Sequence, residues 1–272
     1  MPCIIDRLMS SFQLTPRSAR AARMREVWSS SAVAALKPQE VVLVTDFDGT
    51  LAEIVSDPAR ASILPASLAA LRRLSTLLRR VVVLSSRHSA DLEHLVPLKD
   101  IDLIGDSGLS RISTDERSRL DRFNVEAARL LSGTAGVWLE IKPGATAVHY
   151  RQSPASAEEV LSVIRPAIDE TGLHAVPGRR VIEVMTHDRP KGVALEAVAH
   201  RLRPVGIVCI GDDENDRPMF EFVGTLNSPH LAVGAASAEA PPDLFASCDL
   251  VLEGPDEVSS FLSMLAEWAQ ST

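Results

Sequence analysis

The chain has 272 residues, with 28 lysines and arginines against 36 aspartates and glutamates, so its formal net charge is −8. A 46% hydrophobic fraction suits one large domain, or a core carrying a smaller one, and excludes a disordered chain. The acidic balance, with no basic stripe, argues against nucleic acid as partner, and three scattered cysteines (Cys3, Cys209, Cys248) exclude a disulfide framework or a zinc site.

At the N-terminus Asp6 and Arg7 interrupt the apolar run, so neither a signal peptide nor a membrane span is expected, and the default is a cytoplasmic protein with no membrane partner. Residues 18–35 place Met24, Val27 and Trp28 at helical spacing and read equally as a helix leading into the fold or as a frayed extension. The β-branched run Val41–Thr45 predicts a strand buried on both faces of a parallel sheet. Leu68, Leu71, Leu74, Leu77 and Leu78 then mark a helix. Strands follow at 81–84 and 101–104 with a short helix at 91–95 between them. A helix over 192–202 leads into a fourth strand at 206–210, and a last helix spans 256–268. This alternation predicts βαβ units.

The middle of the chain differs. Residues 137–142 and 145–150 alternate apolar and polar, as strands with one solvated face do. Lys142-Pro143-Gly144-Ala145 joins them as a hairpin turn. A helix over 154–170, a stop at Gly172, and strands at 174–176 and 180–185 around a turn at Pro177-Gly178 complete an α+β unit inserted in the α/β domain. The division expected is an N-terminal helical extension (1–37), a core (38–110 and 188–272) and an inserted unit (111–187).

Four polar clusters fall at the expected loops around the core strands. Asp46-Phe47-Asp48-Gly49-Thr50 follows the first strand, and Ser85-Ser86-Arg87 the second. Lys191 opens the helix before the fourth strand, and Gly211-Asp212-Asp213-Glu214-Asn215-Asp216 follows that strand. Ligands of open parallel sheets sit at the carboxyl ends of strands. Clustered carboxylates repel unless a cation neutralises them, and an oxygen-rich pocket suits Mg2+. A hydroxyl, an ammonium and backbone N–H groups beside such an ion make a phosphate clamp.

Asp46-x-Asp48-Gly49-Thr50, Ser85, Lys191 and Gly211-Asp212-Asp213-x-x-Asp216, in that order, resemble the four motifs of the haloacid dehalogenase (HAD) superfamily of phosphatases. The resemblance implies a Rossmann-like parallel-sheet core with an α+β cap formed by the insert. More narrowly, the chain resembles the trehalose-6-phosphate phosphatase family through Ser56-Asp57-Pro58-x-x-Ala61, Ser85-x-Arg87, Glu140-x-Lys142, His149-Tyr150-Arg151 and Gly178-Arg-Arg-Val-Ile-Glu183. It implies Asp46 as nucleophile and Asp48 as acid and base. Mg2+ would sit on Asp46, the Asp48 carbonyl and Asp212, supported by Asp213 and Asp216. Ser85 and Lys191 would hold the phosphoryl oxygens, with Arg87 as a phosphate or loop anchor and Thr50 ordering the loop. Glu140, Lys142 and Glu183 would grip sugar hydroxyls. The chain departs from the family at Gly105-Asp106-Ser107-Gly108-Leu109-Ser110, where the family carries Gly-x-His-Gly-x-Glu, at Ser86 in place of glycine, and around Asp216.

The function expected is Mg2+-dependent hydrolysis of a sugar phosphate, foremost trehalose 6-phosphate, through an aspartyl-phosphate in a monomer. The alternatives are a phosphatase of a related disaccharide-like or glycosyl-glycerol phosphate, a phosphomutase or phosphotransferase, and a silent regulatory subunit.

Overall fold

Why the valine-rich segments become buried strands is visible in the computed structural model, which describes residues 17–109, 112–178, 180–188, 190–237, 240–241 and 243–272. The N-terminal stretch 1–16 with Cys3, and Ser110, Arg111 and Arg179 of the sequence motifs, lie outside the described residues. Strand β1 (Val41–Thr45) is buried at every position. Its neighbours are β2 (Arg80–Leu84), β3 (Asp102–Ile104) and β8 (Gly206–Gly211). With β9 (His230–Ala236) and β10 (Leu250–Glu253) they form a six-stranded sheet in the order β10-β9-β8-β1-β2-β3, parallel throughout. Alternate residues serve opposite faces. Val41, Leu43, Val81, Val83, Val208 and Ile210 point to one core, and Val42, Val44, Val82, Leu84, Ile207 and Cys209 to the other.

Helices cover both faces, as a parallel sheet requires. Helices α1 (Arg17–Ser30), α2 (Pro65–Leu77) and α8 (Gly254–Ser271) pack on the first core. Helices α6 (Pro190–Leu202) and α7 (Arg217–Gly224) pack on the second, while the short α3 (Ser89–Leu95) sends Leu92 into the first.

Two core strands and one core helix escape the sequence reading, which expects four strands. The β9 sequence HLAVGAA holds a single β-branched residue, Val233, and so lacks the pattern of a buried strand. A Cβ on Gly234 would lie 2.3 Å from the Phe245 ring. Helix α7, eight residues long, hides directly behind the acidic loop.

Between β3 and β8 the chain builds a second, antiparallel sheet in the order β4-β5-β7-β6, from β4 (Trp138–Ile141), β5 (Ala145–His149), β6 (His174–Gly178) and β7 (Val181–Met185). Helices α4 (Thr114–Leu131) and α5 (Ala157–Thr171) cover one face through Leu120, Phe123, Ile164 and Val184. Helix α4 is charged enough to pass for a solvated segment, and a capping box between Ser113 and Glu116 starts it. The turn expected at Pro177-Gly178 lies two residues later. Pro177 sits within β6 opposite Ile182, Gly178 pairs with Val181, and Arg180 takes φ +59°. Strand β6 is an edge of its sheet, where a residue without an N–H is tolerated.

The remaining face of this sheet turns to the core. Ala145, Met185 and Val176 meet Leu109 there, and Lys142 Nζ donates to the Ser86 carbonyl at 3.2 Å. Among the described residues no helix is long and apolar enough to cross a membrane.

Helix α1 is docked. Trp28 stacks edge-on against Trp268 and Phe261 of α8 with ring centroids 5.0 and 6.1 Å apart, and Arg20 Nε binds Glu257 at 2.6 Å. Removing the indole leaves a cavity between two helices. We therefore expect Trp28→Ala to lower the free energy of unfolding by about 3–5 kcal/mol, seen as a lower urea midpoint with α1 still part of the folded chain.

Candidate active site

Strands β8, β1 and β2 are neighbours and parallel, so the loops leaving their carboxyl ends share one edge. The strand order reverses at β1, where β2 lies on one side and β8 on the other, and such a switch point opens a crevice. Asp46 leaves β1, Asp212 leaves β8 and Ser85 leaves β2, all three buried. Gly49, at φ +77°, and three backbone N–H groups bonding to the Phe47 carbonyl fold the first loop tightly.

Lys191, on the first turn of α6, reaches this point from below. Its Nζ donates to Asp46 Oδ1 at 2.8 Å and to Asp216 Oδ1 at 2.7 Å. The other oxygen of Asp216 accepts from the backbone N–H groups of Asp212 and Asp213 at 2.9 and 3.2 Å. Gly211 is glycine because a Cβ there would stand 2.5 Å from the Asp216 side chain. Asp213 caps the loop instead, accepting from Glu214 N at 2.7 Å. Thr50 Oγ1 donates to Asp212 Oδ1 at 3.4 Å, a loop-ordering contact.

Asp46, Asp212 and Asp216 each offer a carboxylate oxygen within 4.8 Å of the others. These three buried acids have one buried ammonium between them. Burial pushes the Asp46 carboxyl up from 3.8 to about 7, with Lys191 opposing and Asp216 reinforcing the rise. For Lys191 burial acts downward, but Asp216 and Asp46 outweigh it and its pKa is raised. Such a donor set, all oxygen and short of positive charge, fits a hard divalent cation. Asp216 is already engaged by Lys191 and two backbone N–H donors.

Around this centre the side chains divide. Arg87 grips Asp48 with a two-pronged fork, Nε to Oδ2 at 2.6 Å and Nη2 to Oδ1 at 2.8 Å, while Nη1 donates to the Pro58 carbonyl. Its guanidinium lies 5.4 Å over the Phe47 ring. Ser85 Oγ accepts from Arg87 N at 3.2 Å.

From the second sheet, buried Lys142 donates to buried Glu183 at 2.8 Å and lies 4.0 Å from Glu140. His149 Nε2 is 2.8 Å from Glu140 Oε2. This hydrogen bond is the main reason the Glu140 carboxyl falls to about 2, with Lys142 adding to the fall. Sequence reasoning missed one pair, His88 Nδ1 and Asp106 Oδ1, at 2.7 Å. Asp106 and Ser107 both stand at φ +53°, unusual for residues with a Cβ. Only the pairing of β2 with β3 brings these loops together, so no local signal couples His88 to Asp106.

A parallel core with a second sheet inserted after β3, and carboxylates at the ends of β1 and β8, is the HAD-type architecture. It superposes on a haloacid dehalogenase-like hydrolase from Bacteroides thetaiotaomicron with a TM-score of 0.59 at 14% identity, covering 82% of this chain and 98% of that one. The C-terminal domain of C. albicans trehalose-6-phosphate phosphatase matches with a TM-score of 0.71 at 21% identity, over 91% of this chain and 96% of the other.

The trehalose-phosphatase family model matches residues 44–243. The trehalose-phosphate phosphatase of Mycobacterium marinum is 30% identical over 239 residues, which is 81% of this chain and 60% of that protein. The chain belongs to the trehalose-phosphatase family, and it spans about 60% of the length of this curated relative.

The raised Asp46 carboxyl has a consequence for stability. Between pH 4 and 7 the folded chain holds a proton there that the unfolded chain has released, so stability from this group is full below about 4 and is lost as pH rises to about 7. Denaturant midpoints of the metal-free protein between pH 4 and 8 should show this downward trend, and Asp46→Asn should remove it.

Proposed function

We propose that the chain is a Mg2+-dependent phosphatase of a sugar phosphate, foremost trehalose 6-phosphate, working through an aspartyl-phosphate. The supporting observation is that Asp46, Lys191, Asp212 and Asp216 are gathered in one buried cluster at the sheet's switch point. Asp46, the main-chain carbonyl of Asp48 and Asp212 would hold Mg2+, which when bound offsets the repulsion between a carboxylate nucleophile and a phosphate dianion.

In the first step an Asp46 oxygen forms a bond to phosphorus while the bond from phosphorus to the sugar oxygen breaks. Asp48 gives that oxygen its proton. In the second step water attacks the aspartyl-phosphate, Asp48 takes the proton back, and Asp46 is regenerated as inorganic phosphate leaves.

The Arg87 fork occupies both carboxylate oxygens of Asp48, so Asp48 must leave the fork to reach the sugar oxygen and can return to it afterwards. Lys191 keeps Asp46 aimed, and with Ser85 it offers fixed donors to phosphoryl oxygens where transition-state charge develops. Residues 111–187 act as a cap that closes over the crevice and excludes bulk water. Glu140, Lys142 and Glu183 grip the sugar hydroxyls.

Two experiments test this reading. Phosphate release from trehalose 6-phosphate should vanish with EDTA, return with Mg2+, and fall about a thousandfold or more in kcat in Asp46→Asn. Turnover surviving that substitution would remove Asp46 as nucleophile. Glu183→Gln should lower kcat/KM for trehalose 6-phosphate relative to an aryl phosphate by about tenfold to a hundredfold, through KM. An equal loss on both substrates would make Glu183 a structural residue.

A further inference from the structure

The face of the second sheet that looks onto the crevice has two rows of side chains running across its strands. One row pairs Glu140 with Ala147, Glu183 and Val176. The next pairs Trp138 with His149, Val181 and Gly178. Both rows face the core: a Cβ on Gly178 would lie 3.1 Å from Asp213 Oδ2, and Val176 packs with Leu109.

In the second row the Trp138 and His149 rings lie flat against each other, with centroids 4.0 Å apart and an interplanar angle of 14°. His149 is fixed in turn by Glu140 at 2.8 Å. The indole is thus held in one orientation from one side, yet 48% of the residue stays accessible. A rigid, half-open aromatic plate is joined edge to edge to a line of carboxylate, ammonium and carboxylate.

That combination suits a pyranose ring. The axial C–H bonds of one ring face form an apolar surface that stacks on an aromatic plate, while hydroxyls around the rim need charged partners. Position along the strand shows which ring would be met. From Lys142, which touches the Ser86 carbonyl beside the phosphate end of the crevice, back to Trp138 is four strand residues, about 13 Å. A single hexose anchored by its phosphate would not bridge that span, whereas a second ring would.

We propose that Trp138, backed by His149, is the stacking platform for the sugar ring remote from the phosphate. The inference rests on the sugar-phosphatase reading above and adds to it the residue that recognises the second ring. Trp138 is a specificity residue and touches no reacting atom.

The test compares Trp138→Ala and Trp138→Phe with the unaltered chain on trehalose 6-phosphate and glucose 6-phosphate. In Trp138→Ala the ratio of kcat/KM for the disaccharide phosphate to that for the monosaccharide phosphate should fall about tenfold through KM, and Trp138→Phe should restore most of it. An equal change on both substrates, or no change on either, overturns the platform.

A second readout needs no turnover. The other two tryptophans, Trp28 and Trp268, pack against each other between α1 and α8. Binding of trehalose 6-phosphate should therefore change the indole emission through Trp138, and Trp138→Phe should abolish that change. Emission that responds without phosphate release from any substrate would keep the platform and overturn the phosphatase reading. Phosphate release with unmoved emission would do the reverse.

Discussion

One ammonium organises the site. Lys191 stands buried between Asp46 and Asp216, and without it two carboxylates from distant loops would face each other, and Asp212, in a medium that cannot screen them. The bond to Asp46 aims that side chain, and the bond to Asp216 ties the loop after β8 to the first turn of α6. Gly211 completes the arrangement by letting Asp216 lie directly over its backbone. Burial raises the Asp46 carboxyl, with Asp216 adding to the rise, and the excess of buried acid over base makes the cluster receptive to a divalent cation.

The second sheet extends this polar centre outward. Lys142 joins the two sheets through the Ser86 carbonyl while bound to Glu183, and Glu140 links it to His149 and so to Trp138. Side chains along one strand thus run from the contact with the core at Ser86 out to the half-exposed Trp138. The helices α4 and α5 pack against the opposite face and back this surface.

Much of the core was legible because parallel strands buried on both faces must be continuous apolar runs, and Val41–Thr45 and the valines of β2 are such runs. Strand β9 was not, since HLAVGAA holds a single β-branched residue and carries glycine where it meets Phe245. The turn after β6 was misplaced because Pro177-Gly178 is strong turn chemistry locally. Only the position of β6 at a sheet edge lets proline sit within the strand. Three of the chemical clusters were legible as short motifs after strands and Lys191 as the opening of a helix, whereas the His88–Asp106 pair was not, because its members come from different loops and nothing local couples them.

The amino-acid sequence by itself determined the residue types, their placement after buried strands, and membership of a family whose motifs it carries in order. Tertiary structure alone decided which of those residues share a volume: that Lys191 bridges Asp46 and Asp216, that Arg87 engages Asp48, and that Trp138 stacks on His149. The reason is geometric. A motif sets the direction in which a side chain leaves its own strand, but the distance to a partner dozens of residues away depends on strand order and register, which follow from packing the whole chain.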